Sequence, residues 1–247
     1  MDEKLKAIID GFAEGAEEIL GDNLVSLFLY GSAAAGDYVP GRSDINFLLV
    51  AASADEETLT SLVKHCHKYQ KRGVATPFVM DVDDLGRSVD AFPLEFLEMK
   101  NYGRLIKGED LLAGMVIDAE DLRLQLEREI KGKLIQLRKS YIRIGDDKKG
   151  REELFRESIK SFMAIVRGML WLEGIEPVPR EGQAAVAGLE KIMDRSMPHM
   201  AKVLEYKTEK PKLAETEVHR LFAGYLDEVE TMADWIDEWV EKQEDEK

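Results

Sequence analysis

Two short stretches near the N-terminus combine small, hydroxyl-bearing and acidic side chains in a way that suits phosphate binding. The first is the apolar run 27–30 followed by Gly31 and Ser32, and the second is Ser43–Asn46 before the apolar run 47–50. A glycine after a strand lets the backbone come close to a phosphate, and a hydroxyl where the next helix begins adds a donor. The pattern therefore predicts a phosphate-binding turn beside a polar segment on a second strand.

The polar segment places Asp44 two residues before Asn46. Side chains alternate along a strand, so these two point the same way. Two carboxylates in this arrangement, with a third from a neighbouring strand, bind a pair of Mg²⁺ ions that supply several kcal/mol of transition-state stabilisation. Because the amide of Asn46 carries no charge, we expect the catalytic metal to be weakly held, with one ion rather than two, and group transfer to be slowed by orders of magnitude.

The order of strand, Gly-Ser turn, loop of roughly ten residues, and Asp-x-Asn opening a second strand resembles the signature of the polymerase-beta-like nucleotidyltransferase superfamily. That signature ends in Asp-x-Asp, and this chain departs from it at Asn46. Relatives in the superfamily include aminoglycoside nucleotidyltransferases and small nucleotidyltransferase antitoxins, many with a helical domain after the catalytic one. The resemblance covers residues 24–50 and extends in outline to about residue 117.

The resemblance implies roles for individual residues. Gly31, Ser32 and Ser43 would contact a nucleoside triphosphate, and Asp44 and Asn46 would stand at the positions of the first two Mg²⁺ ligands.

The third carboxylate is left open by the sequence. Asp81, at the end of the third predicted strand, is the first choice, which makes Asp44, Asn46 and Asp81 the predicted catalytic and metal-binding set. Glu95 and Glu98 are the alternatives.

Two functions follow from the resemblance. The first is transfer of a nucleotide from a nucleoside triphosphate to a small-molecule or protein hydroxyl with Mg²⁺, at a rate weakened by Asn46. The alternative is a catalytically inactive nucleotide-binding or partner-binding module that retains the fold.

Composition limits the classes of partner that we expect the chain to bind. The chain has 49 acidic and 34 basic residues, a net charge of -15, which repels nucleic acid at long range and favours a small-molecule or protein partner. The single cysteine, Cys66, cannot form an internal disulfide, which fits a reducing cytoplasm. No stretch approaches the ~20 apolar residues of a membrane span. We therefore expect a cytoplasmic protein that does not associate with membranes.

Residues 128–151 are a local exception to the acidic composition, with nine basic and three acidic side chains. They form either a strip that faces an anion or a solvated helix end whose charges complement the helix dipole. We favour the second interpretation.

Periodicity predicts two parts, strands and helices over residues 1–117 and an all-α helical bundle over residues 118–247. The resemblance implies an α+β fold in which the first part is a small mixed β-sheet domain with helices. In the first part we expect helices at 2–20 and 56–72 and strands at 24–30, 45–50 and 74–80, the last moved to an edge by Pro77. Residues 92–106 fit either a helix or a strand.

In the second part we expect long helices at both ends, a shorter helix over 181–194, and an interruption at Pro198. The last helix carries aromatic and Met side chains at helical spacing, which indicate either core or a subunit interface. A homodimer through the helical domain is the corresponding prediction.

Overall fold

A computed structural model describes residues 2–36, 38–41, 43–208 and 213–244. Contacts between residues divide the chain into two compact units, Met1–Ile117 and Asp118–Lys247.

The N-terminal unit alternates helices and strands. Within the described residues its elements are α1 (Glu3–Leu20), β1 (Leu24–Tyr30), α2 (Ser32–Ala35), β2 (Asn46–Ala51), α3 (Glu56–Gln70), β3 (Phe78–Asp81), α4 (Val82–Arg87), α5 (Pro93–Tyr102) and β4 (Arg104–Gly108).

The four strands form one mixed sheet in the order β3-β2-β1-β4. β1 is antiparallel to β2 and to β4, whereas β2 is parallel to β3. Two pairings matter for the site: Tyr30 lies opposite Asn46, and Leu48 lies opposite Phe78. The small mixed sheet predicted from the sequence is therefore confirmed.

One face of the sheet packs on α1 and α3. Leu29, Phe47 and Leu49 are fully buried there, and the rings of Phe12 and Phe47 stack with centroids 4.5 Å apart. Burial of one such side chain stabilises the fold by about 1.5–3 kcal/mol. The opposite face of the sheet carries the alternate residues, including Leu48. On that side, α4 contacts β2 and α5 contacts β1.

Two predicted elements need correction. The third strand begins at Phe78, not at residue 74, since Val74 forms only an isolated bridge with Ile45 and Pro77 has no N–H to donate. β3 is an edge strand, as Pro77 predicted. The ambiguous segment 92–106 contains both a helix and a strand, separated at Gly103, where any Cβ would lie 2.3 Å from the Met99 carbonyl oxygen.

The C-terminal unit is entirely helical in its described residues. Its helices are α6 (Ala119–Ile144), α7 (Lys148–Leu172), α8 (Gly182–Met193), α9 (Pro198–Thr208) and α10 (Glu215–Glu244). α7 lies at the centre and contacts each of the other four. No helix in the described part of the chain is both long and apolar enough to cross a bilayer.

The apolar face of α10 belongs to the core of this unit. Phe222, Tyr225, Met232 and Trp239 are all buried within the chain, and Phe222 stacks on Tyr141 with ring centroids 3.8 Å apart. The core interpretation therefore accounts for these side chains, and the homodimer stays a prediction.

Five of the nine basic side chains in the stretch 128–151 pair with carboxylates of the same unit. Lys131 pairs with Glu127 and Asp237, and Arg138 pairs with Glu230. Further pairs join Lys133 to Glu129, Lys148 to Glu152 and Arg151 to Asp146. For the side chains that make them, these ion pairs support the interpretation as a helix surface.

Pro198 begins α9 and does not interrupt it, because the first helical position needs no N–H. The next two N–H groups, of His199 and Met200, donate to the Glu228 carboxylate on α10 at 2.9 and 2.6 Å. The Nδ1 atom of His199 lies 2.7 Å from the same carboxylate. Glu228 is only 3% exposed, so this carboxylate caps α9 from the neighbouring helix.

We expect Glu228→Ala to lower the free energy of unfolding by about 2–3 kcal/mol, because it leaves two N–H groups at the start of α9 without their acceptor. The measurement is urea unfolding followed by circular dichroism. The matched control is Glu230→Ala on the same helix, whose exposed pair with Arg138 contributes less than about 1 kcal/mol. Equal losses in the two variants would contradict this role for Glu228.

His65 is a buried histidine on α3. Its Nε2 lies 2.9 Å from the Phe12 carbonyl oxygen, which only accepts, so Nε2 carries a hydrogen. The ring fills the space above Gly15, where a Cβ would lie 2.2 Å from its Cε1 atom. Burial lowers the pKa of His65 below its usual value, because the buried charged form loses hydration.

This pKa shift predicts a pH-dependent stability. Below the unfolded-state pKa of about 6.5 the unfolded chain binds the proton more readily than the folded chain, so stability falls as pH falls and rises with pH through this window. We expect His65→Gln to flatten the slope of unfolding free energy against pH between about 5 and 7. His67→Gln, an exposed change on the same helix, should keep the wild-type slope.

Candidate functional site

The turn after β1 requires glycine for two reasons. Gly31 has φ 70° and ψ -154°, a backbone region that is essentially restricted to glycine. A Cβ at Gly31 would also lie 3.0 Å from the side-chain amide nitrogen of Asn46. The turn and the start of β2 are thus in direct contact, and Ser32 begins α2 immediately beyond them, with no side chain capping the helix.

The residues beside this turn share one face of the sheet. Tyr30 and Asn46 are directly opposed in the antiparallel pair, so their side chains lie side by side. Burial, and after it the charge of Glu95, raise the pKa of Tyr30. Glu95, on α5, therefore lies near the same end of the sheet. We call the group Tyr30, Gly31, Ser32, Asn46 and Glu95 the Gly31 site.

Asp44 lies just before β2 and is exposed. Among the described residues it has no hydrogen-bond or ion-pair partner, so its carboxylate is available to a ligand. Ser43 is engaged in the preceding loop: its Oγ accepts from the Val39 N–H at 3.1 Å, and its own N–H donates to the Val39 carbonyl at 2.9 Å. Ser43 thereby shapes the approach to Asp44.

A groove adjoins Asp44 on the side of the sheet that carries α1. Besides Ser43 and Asp44, its walls include Tyr38 and the cationic side chains of Lys71 and Arg72. Asp44 thus lines this groove and precedes Asn46 of the Gly31 site by two residues.

The structure does not bring Asp81 to Asp44 and Asn46. β2 and β3 run parallel, and Asp81 pairs with Ala51, five residues beyond Asn46 and about 16 Å further along the strand. The Asp81 side chain instead caps α4, accepting from the Asp84 N–H at 2.7 Å. The first-choice third carboxylate is therefore at the wrong end of the sheet for this role.

The segment of chain that does run past Asn46 has no carboxylate. It follows the bridge between Ile45 and Val74 and consists of Ala75, Thr76 and Pro77 before β3 begins. The Thr76 hydroxyl accepts a 3.0 Å hydrogen bond from the Gln70 amide. Of the two alternatives, Glu95 approaches Tyr30, while Glu98 is half-buried one helical turn further along α5.

These donors do not fit a pair of Mg²⁺ ions. No group of three or more His, Cys, Asp or Glu side chains is arranged to hold a metal in the described part of the chain. An amide oxygen binds Mg²⁺ without adding charge, and a two-metal centre depends on bridging carboxylates. The same atoms suit an anion better: the Ser32 hydroxyl, the Asn46 amide N–H₂ and the uncapped N–H groups of the turn all donate hydrogen bonds.

Sequence reasoning did not assign roles to Tyr30 and Thr76. The period-2 alternation of β1 indicates which face Tyr30 occupies, but its neighbour depends on strand register. The position of Thr76 depends on the parallel pairing of β2 with β3, which connects segments some 30 residues apart and leaves no local signal.

We expect Gly31→Ala to destabilise the chain by more than the ~1–3 kcal/mol that this strained backbone region costs an L-residue, because the new methyl group also displaces Asn46. The control is Gly21→Ala at φ 52° and ψ -127°, a similar backbone region with nothing within 4 Å of the added Cβ. Urea midpoints measure the difference. In the double variant Gly31→Ala/Asn46→Ala, part of the extra destabilisation relative to Gly21→Ala should disappear. An unchanged extra destabilisation would contradict the contact.

Comparison with known proteins reveals a likeness of fold. No protein-family model matches the chain, and no curated protein matches its sequence. Solved structures do match, among them the spectinomycin adenyltransferase AAD(9) from Enterococcus faecialis, determined with ATP and spectinomycin. That structure aligns with a TM-score of 0.56 at 12% identity, covering 91% of this chain and 99% of its own. The likeness confirms the predicted fold class: a nucleotidyltransferase fold in which a mixed-sheet unit is followed by helices.

Proposed function

We propose that this chain is a nucleotide-binding protein that keeps the nucleotidyltransferase fold but lacks the two-metal chemistry of transfer. One observation carries the proposal: the neighbouring segment runs past Asn46 without a carboxylate, while the glycine turn lies so close to the amide that a Cβ at Gly31 would be 3.0 Å from its nitrogen. The fold likeness to a structure that contains ATP supports a nucleotide as the ligand.

The amide at position 46 changes how a phosphate would be held. A carboxylate there repels phosphate oxygens unless a cation lies between them, whereas an amide N–H₂ donates to them directly. With the Ser32 hydroxyl and the N–H groups of the turn, Asn46 offers a set of donors that needs no metal. Nucleotide binding in this protein is therefore proposed to be independent of Mg²⁺.

Magnesium has a secondary role in the proposed nucleotide binding. Asp44 is the one carboxylate of the predicted metal set that stays next to the turn. It would contact at most a single ion that arrives with the nucleotide. Such an ion would neutralise phosphate charge, and the chain's own residues would position the nucleotide.

A weak nucleotidyltransferase is the second candidate, favoured by the approach of Glu95 to Tyr30. Glu95 would then act as a second carboxylate near the site, and the acceptor would be a small-molecule or protein hydroxyl. The net charge of -15 disfavours a nucleic-acid acceptor.

Calorimetry with ATP in EDTA and in Mg²⁺ tests the proposal. We expect wild type to bind ATP in both, and Ser32→Ala to bind several-fold more weakly. The Asn46→Asp variant should lose roughly tenfold or more of its affinity for ATP in EDTA, about 1.4 kcal/mol, and should regain this affinity with Mg²⁺. Asn101→Asp, an exposed change on α5 that adds the same charge, is the control. Loss of wild-type binding in EDTA would overturn metal-independent binding.

Labelled nucleoside triphosphates with Mg²⁺ or Mn²⁺ and candidate acceptors separate the two candidates. The proposal expects no transfer by wild type. Transfer that Asp44→Ala abolishes would establish the second candidate and reject the first. Nucleotide transfer that appears only in the Asn46→Asp variant would indicate that the asparagine at position 46 accounts for the missing transferase activity.

A further inference from the structure

Phe78 shares a sheet face with the Gly31 site. It lies opposite Leu48 in the parallel pair, and Leu48 is two residues from Asn46 on β2. Because side chains alternate along strands and paired residues share a face, Asn46, Leu48 and Phe78 all project from the side that carries Tyr30. Strand spacings place Phe78 about 8 Å from Asn46, two residues along β2 and one strand across.

Phe78 belongs to an exposed aromatic pair. Its ring meets that of Phe92 edge to face, with centroids 6.2 Å apart and planes at 84°. Phe78 is 37% exposed and Phe92 is 40% exposed. In an edge-to-face pair, the ring that points its edge at its partner keeps its π faces free of that partner, so an aromatic face of this exposed pair is open to a ligand.

Phe92 connects the aromatic pair to the rest of the site. It immediately precedes Pro93, where α5 begins, and Glu95 follows in the first turn of that helix. Phe92 and the carboxylate that acts on Tyr30 therefore belong to one short stretch of chain, and Phe78 meets this stretch through its contact with the Phe92 ring.

A single exposed apolar side chain on a protein surface needs no explanation. Two exposed rings in mutual contact, on the face of a proposed ligand site, favour a role in binding. Other phenylalanines of this unit, including Phe12, Phe47 and Phe96, are fully buried, so among the described phenylalanines of this unit exposure is confined to Phe78 and Phe92.

We infer that Phe78 and Phe92 form the platform on which the base of a bound nucleotide stacks. This inference rests on the proposed nucleotide-binding function. Phosphate groups at Gly31, Ser32 and Asn46 would leave the nucleoside to extend across β2 towards β3, over a distance that one nucleotide spans. The platform offers π faces and no hydrogen-bonding side chain, so it accepts every base and discriminates little among them.

Calorimetric titration of wild type, Phe78→Ala and Phe92→Ala with ATP, GTP, CTP and UTP tests the inference. We expect each alanine substitution to lower the affinity for all four nucleotides by about tenfold, the usual effect of losing one stacking ring. Phe78→Trp should keep wild-type affinity, and Phe78→Leu should lose affinity although it stays apolar. Val116→Ala, 83% exposed in the same unit, is the control and should change nothing.

Inorganic tripolyphosphate, which has no base, is the second probe. The alanine variants should bind it as wild type does. Unchanged nucleotide affinity in both variants would overturn the stacking inference while leaving the proposed function intact. An equal loss of tripolyphosphate affinity would also overturn it, since the effect would then be structural. If wild type binds neither probe, the proposed function fails and the platform fails with it.

Discussion

The register of β1 against β2 is the constraint on which the rest of the N-terminal unit depends. Tyr30 opposite Asn46 brings the glycine turn to the amide and puts Phe47 and Leu49 into the core against α1 and α3. A slip of one residue would move the apolar set to the other face and separate the turn from Asn46. Core packing therefore holds the polar end of the sheet in place, since the same pairing serves both.

The chemistry available at that end follows from charge. Two-metal transfer needs several carboxylates at one point, because divalent cations must be drawn from water and held beside a polyanion. Here the side chain that follows Asp44 on the same face is the neutral Asn46, and the segment through Thr76 adds a hydroxyl that is already hydrogen-bonded. What remains is a group of hydrogen-bond donors around a glycine turn, which is suited to holding phosphate and poorly suited to activating it.

The helical unit is organised by buried polar contacts as well as by its apolar core. The Glu228 carboxylate holds the first turn of α9, and salt bridges across α6 and α10 occupy cations such as Lys131 and Arg138. In this chain with 49 acidic residues, five of the nine basic side chains in 128–151 pair with a carboxylate. A local excess of lysine and arginine in such a sequence is therefore weak support for an anion-binding surface.

The sequence by itself determined the α+β class, the positions of β1 and most helices, and the place of Gly31, Ser32 and Asn46, because strand alternation, helical periodicity and the need for glycine at a tight turn are local properties. Only the tertiary structure decided that Asp81 lies at the far end of the sheet, that Pro198 starts a helix, and that Phe78 shares a face with Asn46. Each of these depends on parallel pairing or on contacts between helices distant in the chain. Such contacts arise from packing and leave no periodic signal in the residues that make them.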